Sequence, residues 1–131
     1  MIAEDLVEVS RVSDCEVLMK WFEWEGNGKR LRGLKGSVRF RWSEFLQYGE
    51  IVRLVVKPGA RRDGIGSALL EHAERYLRRV GIWRVFVSVP FEADLAVVPF
   101  LKARGFVQLP TEGEAREFLR DLPELVEGGA A

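Results

Sequence analysis

Two closely spaced glycines stand where a helix is predicted to begin after an apolar strand, an arrangement that suits an anion-binding site. Gly64 and Gly66 follow Arg61-Arg62-Asp63 and precede the first apolar positions of the helix. The first N–H groups of a helix have no partner within it and carry the positive end of the helix dipole. Glycines let the backbone approach a bound group closely. The loop therefore predicts a site for the phosphate groups of a nucleotide or cofactor.

Two common phosphate-binding motifs do not fit this loop. A Walker A loop that begins at Gly59 requires Lys where Ile65 stands. The dinucleotide fingerprint that begins at Gly64 requires a third glycine where Leu69 stands. Many helices also begin after glycines for conformational reasons alone. The two glycines by themselves are therefore weak evidence for a binding site.

Other reactive side chains are expected to be structural. His72 is the only histidine and lies in the middle of the predicted helix, where a surface or dimer-contact position is expected rather than an acid or base. Cys15 is the only cysteine; it is predicted to be buried and implies a reducing compartment. No group of Cys, His and Asp has the spacing of metal ligands, so no metal is expected.

The amino-terminal part is predicted to form a strand and a helix. Leu6–Ser10 alternates apolar and polar residues, as a half-buried strand does. Ser13 lies three residues before Glu16, which matches a capping box and predicts a helix over about 14–25. The apolar residues of this helix form two stripes, of which only one can face the core.

The next segments are predicted to be strands. Over 29–42, Gly33 and Gly36 mark an expected bend between two strands. Residues 50–57 are almost continuously apolar and predict a central strand that is buried on both faces.

The predicted helix follows the glycine loop and runs to about residue 80. Its outer face is expected to carry the ion pairs Glu71–Arg75 and Glu74–Arg78. Its buried stripe is predicted to consist of Ile65, Leu69, Ala73, Leu77 and Val80.

The carboxyl-terminal part is predicted to continue with two strands around a helix. The strands cover 83–89 and 106–109, and the helix lies within 94–104 with Pro99 near its start or at a kink. Residues 112–122 suit a strand or a helix, and the strand is preferred because apolar and polar residues alternate there.

The composition predicts one intracellular domain over residues 1–131. Apolar residues make up 47% and charged residues 31%, which excludes a disordered chain. Twenty basic residues balance twenty acidic ones, which argues against nucleic acid as a partner. No apolar run approaches the length of a membrane span, and the acidic start lacks the regions of a signal peptide. A cytoplasmic protein without a membrane partner is expected.

Two segments together resemble the GNAT superfamily of acyl-CoA N-acyltransferases. Residues 61–66 match its Arg/Gln-x-x-Gly-x-Gly/Ala signature, and the flanking strand Leu-Val-Val-x-Pro and helix Ser-Ala-Leu-Leu-Glu-His-Ala-Glu match as well. Residues 97–106 resemble the second motif of the family, roughly Ala-x-Pro-Phe-Tyr-x-x-x-Gly-Phe. The resemblance covers about residues 48–109, with the motifs in the order and spacing of the family.

The resemblance implies a fold and an activity. The fold would be α/β (α+β), with a mixed, mostly antiparallel sheet, a V-shaped splay between its central strands and helices on both faces. The activity would be N-acetyl transfer from acetyl-CoA to a primary amine by direct attack on the thioester, with coenzyme A as the product. The acceptor would be a small molecule, a peptide or a protein, and a homodimer is plausible for this family.

The resemblance also implies which residues bind the cofactor. The pyrophosphate of coenzyme A would lie on backbone N–H groups of the glycine loop, and the pantetheine arm would pair with the edge of the preceding strand. Residues of the second motif would contact the cofactor as well. The expected cofactor-binding residues are Leu54, Val55, Val56, Arg61, Arg62, Asp63, Gly64, Ile65, Gly66, Ser67, Asp94 and Phe100.

The expected catalytic residue is Glu50. It lies fourteen residues before Gly64, at the place of the Glu that serves as base in some GNAT enzymes, and the alternative is a solvated residue at the end of a strand. Leu101 stands where many members have a Tyr that protonates the leaving thiolate, and Asp94 replaces a frequent Asn. These departures keep a non-catalytic acyl-CoA-binding or regulatory domain as the alternative function.

The tryptophans have two possible uses. Trp21, Trp24 and Trp42 are expected to pack in the core, which is the more common use of this residue. The alternative is an acceptor pocket, because the first helix of GNAT folds borders the acceptor site.

Overall fold

Seven strands and two helices make up the part of the chain that the computed structural model describes, which is residues 6–24, 31–57, 64–90, 96–110, 113 and 115–123. The sheet has the strand order β1-β2-β3-β4-β5-β7-β6. In chain order the elements are β1 (Leu6–Ser13), β2 (Glu16–Trp24), β3 (Leu31–Ser43), β4 (Tyr48–Val56), α1 (Ile65–Arg79), β5 (Arg84–Pro90), α2 (Val97–Ala103), β6 (Val107–Leu109) and β7 (Ala115–Asp121).

The sheet is mixed and mostly antiparallel, which confirms the predicted fold class. The pairs β1–β2, β2–β3, β5–β7 and β6–β7 are antiparallel, whereas β4 and β5 are parallel. A parallel pair requires a crossover connection, and α1 lies in the chain between these two strands.

The helix predicted over 14–25 is wrong, because residues 14–24 form β2 and the turn before it, and residue 25 lies outside the described residues. Val17, Met19 and Trp21 are all buried, with exposed fractions of 4% or less, so the buried positions recur every second residue. The two apolar stripes are therefore the two faces of a strand. The apparent capping residue Ser13 instead accepts a hydrogen bond from the backbone N of Cys15 within the β1–β2 turn (3.3 Å). Cys15 is exposed in this turn, and its predicted burial is wrong.

The bend predicted within 29–42 is also wrong, since β3 is one strand of 13 residues. Its register with β2 shifts between the pairs Trp21–Gly36 and Phe22–Leu34, which leaves Lys35 as an extra residue on β3. An extra residue on one strand of an antiparallel pair is a β-bulge. Gly36 therefore lies next to a β-bulge within β3 and does not end the strand.

The structure divides into two compact units, and the first comprises Met1–Arg41 and Val52–Ala73. In this unit, one face of β2 and β3 and one stripe of α1 are buried. His72 lies on the exposed side of α1, as predicted, with its ring edge toward Trp21 at a centroid distance of 6.2 Å. The buried apolar residues of this unit are Val17, Met19, Trp21, Val38, Phe40, Ile65, Leu69, Leu70 and Ala73.

The second unit comprises Trp42–Ile51 and Glu74–Ala131. Here β7 lies between β5 and β6, which confirms the strand preferred for residues 112–122. Arg84 on β5 donates to Asp121 on β7 (2.8 Å), and this carboxylate raises the pKa of Arg84. Trp42 packs against Tyr76 and is buried, as predicted. The buried apolar residues of this unit are Trp42, Ile51, Leu77, Ile82, Val85, Val87, Val89, Leu101, Phe106, Phe118 and Leu122.

Both carboxyl-terminal helices lie where the sequence predicts them. Most of the predicted stripe of α1 is buried, except that Val80 is 36% exposed and lies beyond the helix end. Glu74, predicted on the outer face, is instead buried at 6% exposure. Pro99 is the third residue of α2, where its missing N–H is no loss. Neither described helix is long and apolar enough to cross a membrane.

Candidate functional site

The amino terminus of α1 presents backbone N–H groups that the helix itself does not use. The first hydrogen bond of the helical ladder runs from the N–H of Ala68 to the carbonyl of Gly64 (3.0 Å). The N–H groups of Ile65, Gly66 and Ser67 therefore precede the ladder. The first turn of α1 carries no acidic residue, and its last turn carries Arg78 and Arg79. No carboxylate in this turn competes with an anion for the positive end of the helix dipole.

Gly64 is required at this position by its backbone conformation. Its φ angle is +75°, in the left-handed region that L side chains rarely adopt. A Cβ built on Gly64 would meet nothing within 4 Å, so space does not restrict the residue type here. The left-handed conformation of Gly64 directs the chain into α1.

Gly36 on β3 brings three elements of the first unit close together. A Cβ on this residue would lie 2.9 Å from the carbonyl oxygen of Val55 on β4. It would also lie 3.1 Å from Leu69 Cδ1 and 3.3 Å from Ile65 Cγ2 on α1. Gly36 therefore allows the first turns of α1 to pack directly on the sheet. The sequence interpretation missed this role, although a glycine inside a strand indicates either a bulge or a close backbone approach.

Gly36→Ala is expected to lower the free energy of unfolding by about 1–3 kcal/mol, because the new methyl group collides with a backbone carbonyl and overpacks the α1 contact. Chemical denaturation measures the change. Gly33→Ala on the same strand is the matched control, since a Cβ there meets nothing within 4 Å. Equal stability of the two variants would contradict the close approach at Gly36.

The carboxyl half of β4 exposes apolar side chains. Val52 and Val55 are 43% and 38% exposed, and Leu54 and Val56 are half-buried, so the predicted burial on both faces is wrong. The described pairing of β4 with β5 consists of Gly49–Val85, Glu50–Phe86 and Ile51–Val87, whereas β4 continues to Val56. Leu54, Val55 and Val56, which were predicted to bind the cofactor, belong to the part of β4 beyond this pairing.

Glu50 lies within the parallel pairing of the second unit. It is half-buried and stands opposite Phe86 on β5. Tyr48 lies two residues earlier, on the same face of β4, and its ring meets Phe86 edge-on at a centroid distance of 5.2 Å. Glu50 is therefore neither fully exposed nor the terminal residue of its strand. Its register partner on β5 is the aromatic Phe86, and the aromatic Tyr48 lies on the same face of β4.

The second motif falls on α2, where its two central residues differ in exposure. Phe100 is half-buried, whereas Leu101 is 2% exposed and part of the core. The position at which many GNAT enzymes have a Tyr acid is thus occupied by a buried apolar side chain. Of the other predicted site residues, Arg61, Arg62, Asp63 and Asp94 lie outside the described residues, as does the side chain of Trp24.

Comparison with known proteins identifies the family. The model of the Acetyltransferase (GNAT) family matches residues 7–106, which is most of the chain. The chain therefore belongs to the GNAT acetyltransferase family, as the two motifs predicted. Transfer of an acyl group is the general activity of this family. No curated protein matches the chain.

Solved structures with this fold include several acetyltransferases. PaiA N-acetyltransferase from Thermoplasma acidophilum, in complex with coenzyme A, has a TM-score of 0.68 at 20% identity and aligns over 82% of this chain. This chain covers 61% of the Thermoplasma protein. The ribosomal-protein-S18-alanine N-acetyltransferase from Escherichia coli has a TM-score of 0.65 at 15% identity, with 95% of this chain and 97% of that chain covered. Nourseothricin acetyltransferase has a TM-score of 0.69 at 15% identity, with 92% and 85% covered.

Proposed function

We propose that this protein transfers the acetyl group of acetyl-CoA to a primary amine. The observation that carries the proposal is the amino terminus of α1, where Gly64 in a left-handed conformation precedes N–H groups outside the helical ladder. Membership of the GNAT family supports acetyl-CoA as the donor. The fold is shared with an N-acetyltransferase whose structure contains coenzyme A.

The described residues fit this cofactor in two places. The N–H groups of Ile65, Gly66 and Ser67 suit the pyrophosphate, because they combine unused donors with the positive end of the helix dipole. Residues 54–56 lie beyond the described β4–β5 pairing and suit the pantetheine arm, since an extended chain that carries amides can pair with a strand. The resemblance to the family is the basis for four further proposed cofactor ligands, which are Arg61, Arg62, Asp63 and Asp94. Phe100 is proposed to contact the cofactor from α2.

Glu50 is proposed to accept the proton of the acceptor amine. Acetyl-CoA supplies an acetyl group activated as a thioester; the amine nitrogen bonds to its carbonyl carbon, the carbon–sulfur bond breaks, and coenzyme A leaves as a thiolate. A carboxylate can take the ammonium or amine proton directly or through one water molecule. Because Leu101 offers no proton, water is proposed to protonate the thiolate. The acceptor is a small-molecule, peptide or protein amine.

Binding of acetyl-CoA is expected to raise the unfolding temperature. At about one hundred times the dissociation constant, a ligand that binds only the folded state adds roughly 2.7 kcal/mol of stability. Thermal unfolding with and without acetyl-CoA measures this effect, with a nucleotide of matched phosphate content as the control. An unchanged unfolding temperature at millimolar acetyl-CoA would contradict the proposed function.

The leucine at position 101 favours a second candidate function, an acyl-CoA-binding or regulatory domain without turnover, because it cannot act as the acid that many members of the family have there. Release of free thiol in the presence of a panel of amines separates the two functions. Steady release supports the enzyme. Tight binding of acetyl-CoA without release over a broad panel supports the binding domain.

A further inference from the structure

A buried carboxylate on α1 joins two arginines from other elements of the second unit. Glu74 is 6% exposed. Its Oε1 accepts a hydrogen bond from Arg104 Nη2 at 3.3 Å, and its Oε2 accepts one from Arg120 Nη1 at 2.6 Å. Arg104 directly follows α2, and Arg120 lies on β7. The two arginines are 26% and 20% exposed, so all three groups are largely withdrawn from water.

The helix α2 depends on tertiary contacts for its position. It has only seven residues, includes Pro99 and has no side-chain cap at its amino terminus. A helix this short is not stable by its own hydrogen bonds. Leu101 anchors one of its faces in the core, and the backbone N–H of Arg104 caps its end by bonding to the carbonyls of Phe100 and Leu101 (both 3.1 Å).

The side chain of Arg104 connects the carboxyl-terminal end of α2 to Glu74. Its Nε is buried and has no hydrogen-bond partner among the described residues, whereas its Nη2 donates to Glu74 and holds the guanidinium there. A positive charge at the carboxyl end of a helix also interacts favourably with the helix dipole. One side chain thus links the end of α2 to a fixed, buried point on α1.

The hydrogen bond between Glu74 and Arg120 on β7 depends on a nearby glycine. Gly105 has a φ angle of +92°, and a Cβ there would lie 3.3 Å from Arg120 Nε. The glycine that ends α2 therefore also leaves room for the arginine that holds Glu74 from β7. The shorter of the two hydrogen bonds of Glu74 comes from β7.

We propose that Glu74 is a positioning residue, which acts through Arg104 to fix α2 and thereby place Phe100 for cofactor binding. This inference rests on the proposed function. The cluster is weak evidence for a purely stabilising role, because buried ion groups are often replaced by apolar residues of similar volume without loss of stability. Removal of the link to α2 should therefore weaken cofactor binding more than removal of the link to β7.

The test compares Arg104→Met with Arg120→Met. Each variant removes one guanidinium from the same carboxylate and retains an apolar stem, so each leaves Glu74 with one partner. The dissociation constant of acetyl-CoA is measured by calorimetry, well below the unfolding temperature of either variant. We expect it to rise about tenfold in Arg104→Met, which corresponds to about 1.4 kcal/mol, and to stay within about twofold of wild type in Arg120→Met.

Each outcome decides the question. Affinities equal to wild type in both variants, with lowered unfolding temperatures, would assign the cluster a structural role only and overturn the inference. An equal loss of affinity in both variants would also overturn it. If Arg104→Met does not fold, Arg104→Gln removes the cation with a shorter, polar side chain; a threefold or larger rise in the dissociation constant supports the inference, and an unchanged value overturns it. Wild-type protein that fails to bind acetyl-CoA would overturn the proposed function, and this inference with it.

Discussion

Glu50→Gln is expected to lower kcat by about 10²–10⁴-fold, the usual contribution of a general base. Gln keeps the size of the side chain and its position opposite Phe86, but it cannot accept the proton of the amine. Steady-state kinetics with saturating acetyl-CoA and an amine that supports thiol release measures the effect. The dissociation constant of acetyl-CoA should stay within about twofold of wild type, because Glu50 is not among the proposed cofactor ligands.

The matched control for this variant is Glu44→Gln. Glu44 lies in the exposed turn just before β4, so the variant removes the same charge from the same hairpin. Its kcat should equal that of wild type. If Glu50→Gln keeps the wild-type kcat, another group or water accepts the proton, and the role proposed for Glu50 is wrong. A loss of affinity without a loss of kcat would assign Glu50 to cofactor binding.

The carboxyl-terminal half of the fold could be predicted because its local signals agree with its packing. Ile65, Leu69, Ala73 and Leu77 recur at helical spacing and are all buried in α1. Gly81 and Gly105 end the two helices with positive φ angles, as glycines at these positions predict. The glycine loop and the Pro99 motif both lie within residues 7–106, which the family model matches.

The amino-terminal half was predicted less well because its local signals conflict with its packing. Ser13 and Glu16 have capping-box spacing, and the spacing of Leu18 and Phe22 also fits a helix. The residues instead pair with strands on both sides, with Met19 opposite Val9 on β1 and Val38 on β3. Pairing partners up to 25 residues away, as Arg41 is from Glu16, decide the structure here, and a local pattern does not contain them.

The parts of the site that the sequence could not predict depend on contacts between residues that are still farther apart in the chain. The helical pattern places Glu74 on an outer face with Arg78, whereas its partners Arg104 and Arg120 lie 30 and 46 residues away. The role of Gly36 depends on the position of Val55 and α1, which its own strand does not specify. A glutamate in a helix can form an exposed or a buried ion pair, and a glycine in a strand can mark a bend, a bulge or a close approach. Tertiary contacts decide between these possibilities.

Leu101→Ala is expected to lower the free energy of unfolding by about 2–5 kcal/mol, because it leaves a cavity at a core position that is 2% exposed. This is a large share of the roughly 5–15 kcal/mol that stabilises a typical domain. Urea denaturation measures the loss. Leu101→Met conserves the volume and should cost less than about 1.5 kcal/mol. Similar losses in both variants would show that packing at this position does not hold α2.

The same position tests whether water protonates the leaving thiolate. Leu101→Met should keep the wild-type kcat, because neither side chain carries a proton to donate. Leu101→Tyr restores the residue that many GNAT enzymes have, yet the larger ring and its hydroxyl enter a filled core, so we expect overpacking by about 1–3 kcal/mol and no gain in kcat. A kcat raised tenfold or more by the tyrosine would contradict this account, since it would show that the side chain reaches the thiolate and that proton donation limits the rate.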